Sequence, residues 1–119
     1  MMFREQLSRI TGRIDGALAL SLVARDGMPV ESVSSDPEID LEALAAEMVS
    51  QARAISANHR ELEVGDVQQL SVTTERVTLM VSTVTPDYYL LLVLGPEGNY
   101  GRARFELRRA RLLLEDELS

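Results

Sequence analysis

Apolar residues recur at Phe3, Leu7, Ile10 and Ile14. The spacing i, i+4, i+7, i+11 traces one stripe of an amphipathic helix, stopped by Gly16. From Ala17 the period shortens. In residues 17–24, Leu18, Leu20 and Leu22 fall on one face of a strand and Ala17, Ala19 and Val23 on the other. Both faces are apolar, so this strand belongs in the middle of a sheet covered on both sides. Asp26-Gly27 predicts a hairpin with a type I′ turn. The return strand opens at Pro29, which has no ladder donor, and is therefore an edge strand.

Ser34-Ser35-Asp36-Pro37-Glu38 reads as the start of a helix, with Asp36 or Asp40 as N-cap and Pro37 in the first turn. That helix runs over roughly 38–60. Its inner stripe is Leu41, Leu44, Ala45, Met48, Ala52, Ile55 and His59. About 180° away lie Ala43, Ala46, Ser50, Ala54 and Ala57. Three further strands follow at 66–74, 76–84 and 88–94, joined by links short enough for an antiparallel meander. In the first, Leu70 and Val72 alternate with Gln69, Ser71 and Thr73. The second alternates around Val77, Leu79 and Val81, and the third is apolar on both sides. A last helix, 99–117, turns Ala103, Leu107, Ala110 and Leu114 inward.

With the first and fifth strands central, the expected fold is α+β. It has a five-stranded antiparallel sheet of order 2-1-5-4-3, with helix 2 on one face and helices 1 and 3 on the other, a three-layer α/β/α sandwich. One domain, 1–119, accounts for the chain, and at 45% hydrophobic residues it has enough apolar material for a core.

Composition narrows the chemistry. There is no cysteine, which removes disulfides, thiolate catalysis and Cys-ligated zinc. The net charge of −7 disfavours nucleic acid and anionic membranes as partners. No segment reads as a signal peptide or a membrane span, so the expected location is cytoplasmic, without membrane insertion. All 12 basic side chains are arginine, a bias that leans bacterial. A lysine-free chain has no Schiff-base nucleophile and no P-loop, so the protein is not itself a P-loop GTPase.

Candidate active-site features each have a plainer structural explanation. His59 is the only histidine and reads as a packed or capping residue, because a general base also needs a nucleophile and an orienting partner. Acidic pairs such as Glu61 and Glu63, or Glu115 to Glu117, read as solvated faces. Gly95-x-x-Gly98-x-x-Gly101 differs from a dinucleotide fingerprint and carries Glu97 where an anion would bind, so it reads as a turn and helix start. Arg102, Arg104, Arg108, Arg109 and Arg111 make the last helix locally basic, offset by Glu106 and the acidic end. No catalytic residue, metal ligand or cofactor is expected.

Two interaction signals remain. The outer face of helix 2 is built of small residues that let another helix approach closely. Strand 66–74 forms an edge without proline or bulge signals, open to strand addition. The expected interface is Ala43, Ala46, Glu47, Ser50, Arg53, Ala54 and Ala57 on the helix, with Gln69, Ser71 and Thr73 on the strand. A two-fold homodimer would use both together.

Gly16-Ala17, the Asp26-Gly27 hairpin, Val30 on the return strand, the long helix from Leu41, and Asn99-x-Gly101 with Leu107 beyond it give the chain a resemblance to the Roadblock family. That family includes dynein light chains and a bacterial gliding-motility regulator. The resemblance spans the whole chain and implies a homodimer with a continuous sheet and paired second helices. For bacterial members it implies a cytoplasmic, non-enzymatic regulator or scaffold that binds a small Ras-like GTPase and repositions that GTPase's own residues. Arg53 and Arg60, on the exposed flanks of helix 2, are the candidates for a donated arginine. The competing expectation is a small-ligand-sensing domain of related sandwich fold, drawing on Tyr88, Tyr89 and His59. A minor hydrolase dependent on His59 is a third class.

Overall fold

The computed structural model describes residues 3–118. The elements are α1 (Phe3–Thr11), β1 (Ala17–Ala24), β2 (Pro29–Ser34), α2 (Leu41–Glu61), β3 (Gln69–Thr73), β4 (Thr78–Thr85), β5 (Tyr88–Leu94) and α3 (Tyr100–Leu118). The strands form one sheet of order β2-β1-β5-β4-β3, every neighbour antiparallel, as the apolar pattern predicts.

The sheet separates two cores. Leu20, Leu22, Met80, Leu90, Leu92 and Leu94 pack beneath α1 and α3, against Leu7, Ile10, Ala103, Leu107, Ala110 and Leu114. On the opposite side Ala19, Val23, Leu79, Val81, Leu91 and Val93 pack against Ala45, Met48, Val49 and Ala52 of α2. The α/β/α layering follows directly. β4 is buried on both faces as well, so three strands are central where the pattern marked two.

Local corrections have local causes. α1 ends at Thr11, and Ile14 enters the core from a series of tight turns in which Arg13, Ile14 and Ala17 donate to the carbonyls of Ile10, Thr11 and Ile14. The β1–β5 register shifts between Ala17 and Ala19. A bulge inserts one residue and reverses the alternation beyond it. Leu18 therefore joins the α2 side with Ala19, and Ala17 the α3 side with Leu20. Pro37 lies outside α2. The cap is Asp40, whose Oδ1 accepts from the Ala43 N–H at 3.1 Å, while Asp36 Oδ1 holds the Glu38 N–H in a separate turn.

The hairpin is not type I′. Gly27 alone has positive φ (+90°), and Asp26 stays on the ordinary side. The Gly27 N–H donates to Ala24 O and the Ala24 N–H to Met28 O, both at 2.9 Å, while Asp26 Oδ1 accepts from the Met28 N–H. This is a three-residue loop, a type I turn followed by a left-handed glycine, matched by the β1–β2 register shift between Leu22 and Val23. It places one residue in the left-handed region where type I′ needs two, which spares Asp26 the steric cost.

Candidate functional site

α2 divides into two faces. Ala45, Met48, Val49 and Ala52 are buried, and Ala43, Ala46, Glu47, Ser50, Arg53, Ala54 and Ala57 are all exposed. The seven helix positions expected at an interface thus form one continuous surface of mostly small side chains. Val49, absent from the expected inner stripe, completes the packing against the sheet.

The hairpin and this helix share a contact that local pattern does not reveal. Gly27 is buried against α2, and a Cβ there would lie 3.1 Å from Ala46 Cα. Arg53 reaches back from the helix and donates to Arg25 O at 3.4 Å. Between them lies a shallow cleft of about 460 Å³ bounded by Arg25, Asp26, Gly27, Ala46, Ser50 and Arg53. The turn therefore borders the helix face instead of standing apart from it.

β3 is the free edge of the sheet. It begins at Gln69, three residues later than the alternation predicts. The preceding backbone is held individually, with the Val67 N–H donating to Ser56 Oγ, Thr83 Oγ1 to Val67 O and the Thr83 N–H to Gln68 O. The last of these bonds, with Thr74 N–H to Val77 O at the far end, sets the phase of the ladder. Leu70 and Val72 then direct their N–H and C=O groups to β4, and Gln69, Ser71 and Thr73 direct theirs to the open edge. Among the described residues no side chain caps those outward groups. The side chains of Gln69, Ser71 and Thr73 sit on the α3 side, where Tyr100 OH donates to Ser71 Oγ at 3.1 Å. Leu70 packs on the α2 side. The strand start is tied to α2 through Ser56 Oγ and the Val67 N–H, while the side chains of Gln69, Ser71 and Thr73 turn to the layer opposite the helix face.

Three exposed apolar side chains have no counterpart in the expected site: Leu62 and Val64 in the α2–β3 connection, and Val72 on the strand. Apolar residues alternating with glutamate in Glu61-Leu62-Glu63-Val64 are the sequence signal that marks them.

The other candidates resolve structurally. Gly16 (φ +84°) and Gly98 touch backbone to backbone, since a Cβ on Gly16 would lie 2.5 Å from Gly98 Cα, and the Gly95 N–H donates to Gly16 O at 2.8 Å. The glycines close the fold between β1 and the β5–α3 turn, leaving no cradle at Gly98. Asn99 caps α3, its Oδ1 accepting from the Arg102 N–H at 2.9 Å. Tyr88 and Tyr89 lie on opposite sides of the sheet, so with His59 they do not converge on one cavity. A groove of about 930 Å³ at the end of the sheet mixes Arg25, Arg53, Arg60 and Arg111 with Asp66, Asp87 and Glu115, and Arg60 is already paired to Asp66 at 3.0 Å. Among the described residues no group of three or more His, Asp or Glu is placed to hold a metal ion, and no helix is long and apolar enough to cross a membrane.

Glu106 departs most from expectation. It is buried in the α3–sheet core, where Arg102, Arg109 and Arg13 surround it at 3.1, 3.5 and 4.0 Å. The arginines read as a solvated basic face therefore include a charge cluster that compensates a buried carboxylate.

Known structures share this fold. A Roadblock/LC7 domain from Streptomyces avermitilis superposes with a TM-score of 0.85 at 22% identity, covering 97% of this chain and 96% of that one. MglC from Myxococcus xanthus is 33% identical over 98% of this chain and 99% of its own, with a TM-score of 0.72. Myxococcus xanthus MglB gives 0.86 at 16% identity, over 97% and 93%. No curated protein sequence matches the chain. The family model for the Roadblock/LC7 domain matches residues 3–94, from α1 through β5. The sheet order, the layering and this match agree that the chain belongs to the Roadblock/LC7 domain family.

Proposed function

We propose that the protein is a non-enzymatic, homodimeric regulator or scaffold that binds a small Ras-like GTPase and changes its nucleotide state or its location. The observation that carries this reading is the uncapped β3 edge of a sheet whose α2 layer presents a smooth outer face. An antiparallel β3–β3 pairing across a two-fold axis would satisfy the outward backbone groups of Gln69, Ser71 and Thr73. The same axis would bring the two α2 helices together over Ala43, Ser50, Ala54 and Ala57, where only small side chains stand between them. Leu62, Val64 and Val72 are exposed apolar side chains that such an assembly could cover. The paired helices then offer one broad platform to a partner. The family membership and the likeness to MglB and MglC support a GTPase as that partner.

Regulation here acts by docking. Arg53 leans on the hairpin backbone and Arg60 is held by Asp66. Donating either to a partner's active site would require breaking these contacts, whereas repositioning the GTPase's own residues requires none. The test pairs a mass measurement with a functional one. Light scattering should report a dimer, and a pull-down from the native cytoplasm should recover a small GTPase whose GTP turnover changes on addition of the protein. Retention of no GTPase in either nucleotide state refutes the partner assignment, and a wild-type monomer refutes the dimer.

A further inference from the structure

We propose that the outward face of α3 is a second self-association surface, pairing antiparallel with α3 of another copy about a two-fold axis at Leu112. This surface is separate from α2 and β3. Ala103, Leu107, Ala110 and Leu114 fix the inner face of α3. Diametrically opposite, at i, i+3, i+7 and i+11, stand Phe105, Arg108, Leu112 and Asp116. A face directed away from the core should be polar, yet Phe105 is 52% and Leu112 62% exposed, with Leu113 on the flank at 55%. Phe105 is held between guanidinium groups, Arg102 and Arg109 lying 5.7 and 5.9 Å from its ring centre. Those two arginines are also engaged by Glu106.

Arg108 and Asp116 have no ion pair or hydrogen bond among the described residues. Eight positions apart, they stand about 12 Å from each other along the helix, beyond each other's reach. Their signs choose the occupant. An acidic partner helix would be attracted at Arg108 and repelled at Asp116, and a basic one the reverse. An anionic membrane would meet Glu115, Asp116 and Glu117 on a chain of net charge −7. A second copy running antiparallel carries both signs in reversed order by symmetry. With the axis at Leu112, the two leucines meet and each Arg108 faces Asp116 of the other copy. Setting Phe105 against Leu112 instead would place each Arg108 opposite Arg109 of the other copy, so the Leu112 register is the one that charge allows.

The test is molecular mass against concentration by light scattering, with thermal melts confirming that each variant folds. With both faces in use the wild type is larger than a dimer, a tetramer where the two axes meet and an open array where they do not, and Leu112→Glu and Ala54→Arg each reduce it to a dimer by separate routes. If the α2 reading fails, the wild type is a dimer that Leu112→Glu makes monomeric and Ala54→Arg leaves alone. A fall in mass on Leu112→Glu, to the dimer in the first case and to the monomer in the second, supports the proposal. Arg108→Asp and Asp116→Arg should each weaken association about tenfold, the sum of two exposed pairs, and the double variant should recover it. Equal masses for wild type and Leu112→Glu at every concentration overturn the proposal. So does a double variant no better than the single ones. Binding of the wild type to anionic lipid vesicles, lost in Leu112→Glu while the masses stay equal, overturns it in favour of a membrane surface.

Discussion

The two edges of this sheet are built to opposite ends. On β2, Pro29 removes a donor, a bulge breaks the register with β1, and Ser32 is capped at both of its outward groups. Its N–H donates to Glu31 Oε1 at 3.2 Å and its C=O accepts from Arg4 at 3.2 Å, with Arg4 and Glu31 themselves paired at 3.4 Å. On β3 there is no proline and no register shift, and no described side chain covers the edge groups of Gln69, Ser71 and Thr73. Sheet edges left in this second state invite strand addition. A domain that guards one edge with three devices and leaves the other bare fits the pairing proposed through β3.

The sharpest way to break the comparison is at the helix face proposed to pair when the bare edge does. Ala54→Arg would set long cations against each other across the two-fold axis, where like charges cost several kcal/mol, so the dimer should be lost while the melting temperature of the monomer stays the same. Ala46→Arg is a poorer probe, because Ala46 also supports Gly27 within the chain. Second in size, Glu106→Gln should destabilise the fold by about 1–3 kcal/mol, below the full cost of breaking a buried ion pair because Arg13, Arg102 and Arg109 are partly exposed and can resolvate. Denaturant unfolding should register that loss, with no change in the α2–β3 dimer, separating stability from association.

Ser71→Pro addresses the strand directly. Its N–H points outward, so proline removes no internal ladder bond, yet it blocks pairing with a second β3. The expected loss is about 1–3 kcal/mol of dimer stability, read as a rightward shift of the dissociation curve. The smallest effect is expected from the guarded edge. Arg4→Ala with Glu31→Ala removes an exposed pair worth about 0.2–1 kcal/mol and uncovers Ser32, without changing the assembly formed through β3. Loss of that dimer in the double alanine variant would mean that the edge assignment is reversed.

Residue periodicity was enough for the element order, the strand order and the α/β/α layering, because each depends on which face of a helix or strand is apolar. It was enough too for the smooth face of α2, since burial of Ala45, Met48 and Ala52 leaves Ala43, Ser50 and Ala54 pointing out. It failed where a contact joins distant parts of the chain. The bulge at Leu18 exists only in register with β5, and the cluster around Glu106 draws Arg13 from the loop after α1. The hairpin turn is another such case. Its left-handed Gly27 is a local property of Asp-Gly, but its seat on Ala46 arises only when α2 crosses the sheet.

The amino-acid sequence alone determined the fold class, the family and the smooth outer face of α2, since hydrophobic burial acts on patterns a few residues long. Only the tertiary structure decided which backbone groups of β3 are left open, which arginines are consumed by a buried carboxylate, and which apolar residues of α3 remain uncovered. Those depend on hydrogen-bond phase and charge compensation between segments far apart in the chain, and no local pattern contains them.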